Sequence, residues 1–311
     1  MTLQYKQELE PKEILDQAIS QGLTDFYVAY SGGKDSGIVL DIVAKNYPDN
    51  FRGVVFVNTG IATDATVSFV MDYCSKRAYP LYVLNPNSVK RKKDGNDMLK
   101  GQAFTYENLV MRYGFPSAST HNGTMAWLKY YPLRQFVKNR IVNNEKPAII
   151  SGVRKNESKR RSKKYSDFII KDHKLIFVCP IFYKSNEWVY QYFIENNILR
   201  SPVYNTLHIS GDCLCGSFAQ KNELKLLQMF HPKTFTEIKR LEKLLKAKGT
   251  DYAKKYSTWG NHKQTTDDIK AQTTIESYLC SDCILDRSAT DDDTKKFNDE
   301  FENIEAKLDK L

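Results

Sequence analysis

Phe26-Tyr27-Val28-Ala29-Tyr30-Ser31-Gly32-Gly33-Lys34-Asp35-Ser36-Gly37-Ile38-Val39-Leu40-Asp41-Ile42-Val43 passes without a linker from an apolar run, through a small polar turn, into a helical pattern. Phe26 to Tyr30 reads as a buried strand, and Ile38, Val39, Ile42 and Val43 are spaced for burial on one face of a helix over Ser36 to Tyr47. Two glycines at the junction let the backbone approach an anion closely. The free N–H groups and the positive dipole end of the following helix favour phosphate there. Ser31 and Ser36 add hydroxyl donors, Lys34 adds a point charge, and Asp35 can cap the helix or orient a metal-bound phosphate. This is not a Walker A loop, because the Gly-x-x-x-x-Gly-Lys-Ser/Thr spacing is absent.

The same alternation continues on either side. Phe51 to Val57, Leu81 to Leu84, Ala148 to Val153 and Leu175 to Cys179 read as further strands. Residues 11–22, 64–77, 125–142 and 188–197 read as helices. Strands alternating with helices predict βαβ units, and so an α/β fold whose parallel twisted sheet carries helices on both faces. Residues 85–123, rich in Lys, Asn, Gly and Ser and carrying the run Lys90-Arg91-Lys92-Lys93, fit a lid or insertion over the site, or a solvated loop. After Pro202 the strand pattern stops, and helices over 223–230 and 235–248 are divided at His231-Pro232. In the tail, Phe297, Phe301, Ile304, Leu308 and Leu311 form an apolar stripe at helical spacing. The expected organisation is a nucleotide-binding α/β domain over 1–205 and a mostly helical, cysteine-bearing region over 206–311.

With 311 residues, 41% of them hydrophobic, the chain can bury a sizeable core. A formal net charge of +9 suits nucleotides, nucleic acid or an acidic protein, and equally a Lys-rich solvated surface. The N-terminus lacks the pattern of a signal peptide, and no stretch approaches the roughly 20 apolar residues that span a bilayer. A cytoplasmic protein without membrane contact is therefore expected.

A second anion site is suggested by Ser151-Gly152-Val153-Arg154-Lys155-Asn156-Glu157-Ser158-Lys159-Arg160-Arg161, which leaves the end of a strand. In open α/β sheets ligands sit at the carboxyl ends of strands, so this turn should face the same crevice as Ser31. Arg154 and Arg160 can hold phosphate or sulfate oxygens in bidentate fashion, with Glu157 orienting one of them. A solvated basic loop is the alternative. Of the six cysteines, Cys74 and Cys179 sit in apolar patterns and read as core. Cys213-Leu214-Cys215 and Cys280-Ser281-Asp282-Cys283 form a C-x-C…C-x-x-C pattern able to place four thiolates on zinc or an iron–sulfur centre, and the long intervening segment leans toward zinc.

Ser31-Gly32-Gly33-Lys34-Asp35-Ser36 resembles the PP-loop of the ATP pyrophosphatases and the phosphoadenosine phosphosulfate (PAPS) reductases. Val54-Val55-Phe56-Val57-Asn58-Thr59-Gly60 is similar to the second strand and Thr-Gly turn of the PAPS-reductase branch, which lies against the nucleotide. Gly152 to Ser158 resembles its Gly-x-Arg-x-x-(Glu/Gln)-Ser segment. Pro180-Ile181, Trp188-Val189-Tyr190 and Ser201-Pro202-Val203-Tyr204-Asn205 resemble its later part. The likeness covers roughly residues 24–220. It implies a PP-loop, HUP-like fold gripping an adenine nucleotide, with Lys34, Asp35 and Ser36 catalytic and Asn58, Thr59, Gly60, Gly152, Arg154, Glu157, Ser158 and Arg160 around the ligand. It also moves the preferred metal from zinc to a [4Fe–4S] cluster on Cys213, Cys215, Cys280 and Cys283.

The family's Glu-Cys-Gly-(Leu/Ile)-His segment, whose cysteine attacks the sulfate sulfur, does not occur, and no cysteine follows Cys283. The leading expectation is therefore cleavage of ATP at its α-phosphate, with Mg²⁺ assisting pyrophosphate departure, coupled to sulfur transfer onto tRNA or DNA from a sulfur donor protein. The alternative is a sulfonucleotide reductase releasing sulfite from PAPS or adenosine phosphosulfate (APS). A third reading is a non-catalytic nucleotide-binding protein with structural zinc.

Overall fold

A computed structural model describes residues 9–86, 103, 105–155, 167–172, 174–220 and 222–260. Strands β1 (Asp25–Ala29), β2 (Phe51–Val57), β3 (Leu81–Leu84), β4 (Pro147–Ile150), β5 (Ile169–Asp172) and β6 (Leu175–Val178) form one sheet in the order β3-β2-β1-β4-β6-β5. Neighbouring strands run parallel except β5 and β6, which pair antiparallel at one edge. Strand β5 is absent from the sequence reading, because four residues beside a polar basic stretch give no run long enough to stand out. The parallel sheet expected from the βαβ pattern therefore carries one antiparallel edge strand.

Side-chain parity explains why these strands read as continuous apolar runs. Phe26, Val28, Val54, Phe56, Ala148 and Ile150 enter one core, while Tyr27, Val55, Ile149 and Phe177 enter the other. Both faces are buried, as a parallel sheet requires. Helices α1 (Pro11–Ser20), α2 (Lys34–Asn46), α3 (Asp64–Lys76) and α7 (Asn186–Glu195) cover the first face through Ile14, Ile38, Val70 and Val189. Helix α6 (Tyr131–Val142) covers the second through Leu133, Phe136 and Val137.

Within the stretch read as a lid or insertion, α4 (Tyr106–Tyr113) is capped by the Thr105 hydroxyl, which accepts from the Asn108 N–H at 3.1 Å, and α5 (His121–Met125) follows. The helix expected over 125–142 is divided. Ala126–Tyr130 winds as a wider π turn before α6, because Pro132 has no N–H to donate into the preceding turn.

Beyond β6 come α8 (Tyr204–Leu207), α9 (Glu223–Phe230), α10 (Pro232–Lys248) and α11 (Asp251–Lys254). Leu226 and Leu227 of α9 and Ile238, Leu241 and Leu245 of α10 pack with Leu109 and Val110 of α4 in a third cluster, around Cys213, Leu214 and Cys215. Among the described residues, no helix is long and apolar enough to cross a membrane. The expected tail helix and the basic run at 90–93 lie outside the described residues.

Candidate active site

Strand β1 has β2 on one side and β4 on the other, so the chain switches direction across the sheet there. Crevices of open α/β sheets form at such points, outside the carboxyl ends of the strands. The Ser31–Ser36 loop leaves the end of β1 and Ser151-Gly152 leaves the end of β4. The structure brings the two together: a cavity is lined by Ser31, Ser36, Ser151, Gly152, Lys129 and Asp212, with the ends of β1 and β2 as its floor.

The loop's shape is set by its own polar atoms. Ser31 and Ser36 hydroxyls lie 3.1 Å apart, the Ser36 hydroxyl accepts from the Ser31 N–H at 3.3 Å, and it reaches the Gly33 carbonyl at 3.1 Å. Gly32 adopts φ +81°, a left-handed conformation that favours glycine. Gly33 then caps α2 without a side chain, leaving the first-turn N–H groups for an anion. Gly152 is held against this turn so closely that a Cβ there would lie 2.8 Å from the Asp35 carbonyl carbon and 2.8 Å from the Ser36 nitrogen. The glycine of the second loop thus permits contact between the two loops.

The charged residues of the loop are engaged within the protein. Lys34 Nζ stands 3.7 Å from Asp35 Oδ1 and 5.0 Å above the centre of the Tyr190 ring, a cation–π contact from α7. Arg154, expected on sequence grounds to grip phosphate or sulfate, is only 1% exposed. It donates from Nε to Asp35 Oδ1 at 3.1 Å and from a terminal nitrogen to Asn186 Oδ1 at 2.9 Å. As folded, Arg154 braces the phosphate loop through Asp35, a role that a basic pattern in sequence does not distinguish from ligand binding.

Lys129 and Asp212 are absent from the residues singled out in the sequence, yet they contribute a nearly dry ion pair to the cavity. Lys129 Nζ lies 2.5 Å from Asp212 Oδ2, with the two side chains 4% and 7% exposed. The Ser210 hydroxyl donates to the other Asp212 oxygen at 2.8 Å. The lysine stands in the π turn before α6, and the Leu-Lys-Tyr-Tyr-Pro sequence of residues 128–132 is the signal that could have marked it. Turns of this kind recur at functional sites.

The Asn58-Thr59-Gly60 turn at the end of β2 holds the segment that carries Asp212. Thr59 donates its hydroxyl to the Asp212 carbonyl at 3.0 Å, Thr63 N–H to the Gly211 carbonyl at 2.9 Å, and Leu214 N–H to the Ile61 carbonyl at 3.1 Å. Gly60 is at φ +79°, with its N–H on Asn58 Oδ1. Of these three residues Thr59 supports the 210–215 loop directly, while Asn58 and Gly60 shape the turn that presents it.

Cys213 follows Asp212 directly and Cys215 stands two residues further on, both buried. Interaction with the Cys213 thiol and burial push the Cys215 thiol well above its usual value, while the neighbouring His121 imidazole opposes this. Burial also pushes Cys74 up, to about 11, as suits a core thiol. Glu157, Ser158, Arg160, Cys280 and Cys283 lie outside the described residues. A [4Fe–4S] cluster takes four thiolates, and the described residues bring two to this place. Among them, no three His, Cys, Asp or Glu side chains already stand where they hold one metal ion.

Residues 25–238 match the family model described as the phosphoadenosine phosphosulfate reductase domain. An adenosine 5′-phosphosulfate reductase of Oceanobacillus iheyensis is 27% identical over 202 residues, 64% of this chain and 72% of that protein. One from Bacillus cytotoxicus is 25% identical over 204 residues, 64% and 76% of the respective chains. A crystal structure of phosphoadenylyl-sulfate (PAPS) reductase from Candida auris, a phosphate complex, aligns at 17% identity over 66% of this chain and 93% of that one, with a TM-score of 0.43.

Proposed function

This chain belongs to the phosphoadenosine phosphosulfate reductase domain family, and from that premise we propose that it binds an adenine sulfonucleotide, APS or PAPS, and reduces its sulfate to sulfite at the expense of a dithiol. The reading rests on the cavity where the Ser31–Ser36 loop, Ser151-Gly152 and the Lys129–Asp212 pair converge. The names borne by the two bacterial relatives favour a sulfonucleotide over ATP.

In this reading, the first-turn N–H groups of α2 and the hydroxyls of Ser31 and Ser36 hold the nucleotide's α-phosphate. Lys129 faces the sulfate end. One thiol of the reductant forms an S–S bond to the sulfate sulfur as the S–O bond to the phosphate breaks, and the phosphate leaves with the electron pair. The second thiol then displaces sulfite, which departs with its own electron pair, and the reductant is left as a disulfide with two protons released. Charge develops on the departing phosphate, where Lys34 and the helix N-terminus stabilise it without reorganisation. Asp35, clamped by Arg154, fixes the loop for this. A [4Fe–4S] cluster, Mg²⁺, a nucleic-acid acceptor and a sulfur donor protein enter no step.

The experiment offers APS, PAPS and ATP in parallel to the full chain with a dithiol reductant, and measures sulfite and pyrophosphate. Sulfite from APS or PAPS, abolished in Lys34→Ala and Ser36→Ala variants that melt like the parent, is the expected result. Pyrophosphate from ATP with no sulfite from either sulfonucleotide would overturn this reading in favour of nucleotide activation for sulfur transfer.

A further inference from the structure

Tyr190 differs from the other aromatic residues of α7. Trp188, Tyr192 and Phe193 pack against the first core and Val189 is fully buried. Tyr190 belongs to no core cluster among the described residues and stays 55% exposed. What its ring does cover is a charge: Lys34 Nζ lies 5.0 Å from the ring centre, within range of a cation–π contact. A ring that adds nothing to the core and covers the ammonium of the phosphate loop acts on that ammonium.

The position of Lys34 shows what the contact achieves. Lys34 is the first residue of α2, yet the cavity is lined by Ser31 and Ser36 on either side of it in the chain and not by Lys34. Its side chain is nearly buried, held between the Tyr190 ring and Asp35 Oδ1 at 3.7 Å. That carboxylate oxygen already accepts from Arg154 Nε at 3.1 Å. Two cations share one oxygen, so the nearer guanidinium offsets its charge and repels the ammonium. Asp35 alone therefore holds Lys34 weakly, and the ring supplies the rest of its attachment. A phosphate at the N-terminus of α2 carries at least one full negative charge. It is the stronger attraction for an ammonium on a flexible four-carbon stem.

We propose that Tyr190 is a positioning residue that parks Lys34 outside the cavity, and that a bound phosphate draws the ammonium off the ring and into the site. The contact thus sets the affinity of the loop, because binding breaks it. Lys34 is then in place before charge develops on the leaving group. The proposal rests on the reading of Ser31–Ser36 as a phosphate site and is independent of which sulfonucleotide is reduced.

The test titrates AMP calorimetrically into the full-length parent, Tyr190→Phe and Tyr190→Leu. Phenylalanine keeps the ring and should bind like the parent. Leucine releases Lys34 and should bind AMP more tightly, by roughly 2–5-fold, the equilibrium equivalent of an exposed cation–π contact. Loss of a merely structural side chain would weaken binding, so the sign is diagnostic. Affinity in Tyr190→Leu equal to or below that in Tyr190→Phe would overturn the proposal. So would the same gain from Tyr190→Leu in a chain that already carries Lys34→Met. A second readout needs no Lys34 variant to bind AMP. The methyl resonance of ¹³C-methylated Lys34, assigned by its loss in Lys34→Met, should lie upfield in the ligand-free parent. On saturation with AMP it should move to its position in Tyr190→Leu, and a resonance that AMP leaves unmoved would refute the transfer. A parent that binds no AMP would sink the phosphate-loop reading itself, whereas AMP binding indifferent to Tyr190 sinks this proposal alone.

Discussion

Gly152→Ala is the smallest change that probes the meeting of the two loops. The added methyl would stand 2.8 Å from both the Asp35 carbonyl carbon and the Ser36 nitrogen, and 3.0 Å from the Asp35 oxygen. Ordinary contact begins near 3.4 Å, so one loop must move by about 0.6 Å, and the obstructing atoms are backbone rather than the end of a flexible side chain. Overpacking of this kind costs about 1–3 kcal/mol. At roughly 2–4 °C per kcal/mol for a domain of this size class, the melting temperature should fall by about 2–12 °C. The displacement falls on the first turn of α2, whose N–H groups are proposed to hold the phosphate. AMP affinity should therefore weaken more than stability alone explains. The assay is calorimetric titration of AMP well below the melting temperature, paired with a thermal melt of the ligand-free protein. A Gly152→Ala variant that binds AMP within about twofold of the parent and melts at the same temperature would refute the close approach and the reasoning built on it.

Two further outcomes follow from buried charge. Lys129→Met leaves Asp212 buried without its cation, which should destabilise the protein by about 3–5 kcal/mol. Lys129→Met combined with Asp212→Leu should recover most of that loss in thermal melts, and an additive double variant would dismiss the coupling. His231, between α9 and α10 with its Nε2 2.9 Å from the Thr206 hydroxyl, is held below its usual pKa by burial. The unfolded chain takes up a proton near the ordinary histidine value of about 6.5 that the folded chain resists. Stability should thus be complete above that pH and decline as pH falls through it and toward the lower folded value. Urea midpoints from pH 8 to pH 5 check this, and His231→Gln should flatten the profile in that window.

The architecture was legible because its signals are local. Period-3.6 burial, continuous apolar runs and the Ser-Gly-Gly-Lys-Asp-Ser junction each lie within a single element and its neighbour, so β1 and the loop into α2 are readable without knowing what packs on them. The edge strand β5 was not readable, since its four residues owe their conformation to pairing with β6 rather than to any pattern of their own. The π turn at Ala126–Tyr130 hid within a helical pattern, because Pro132 changes the hydrogen bonding without disturbing the apolar spacing.

Sequence alone determined an α/β chain with an anion-binding turn at the end of its first strand, since residue type and spacing fix backbone freedom, dipole direction and periodicity. Which charges meet was decided by the tertiary structure. Arg154 and Asp35 are 119 positions apart and Lys129 and Asp212 are 83 apart, yet each forms a buried pair. The His121 ring meets Phe218, far along the chain, by the same folding, with ring centroids 4.8 Å apart. A charge or an imidazole in a string of letters has no partner, and its chemistry depends on burial and neighbours that exist only once distant segments have packed.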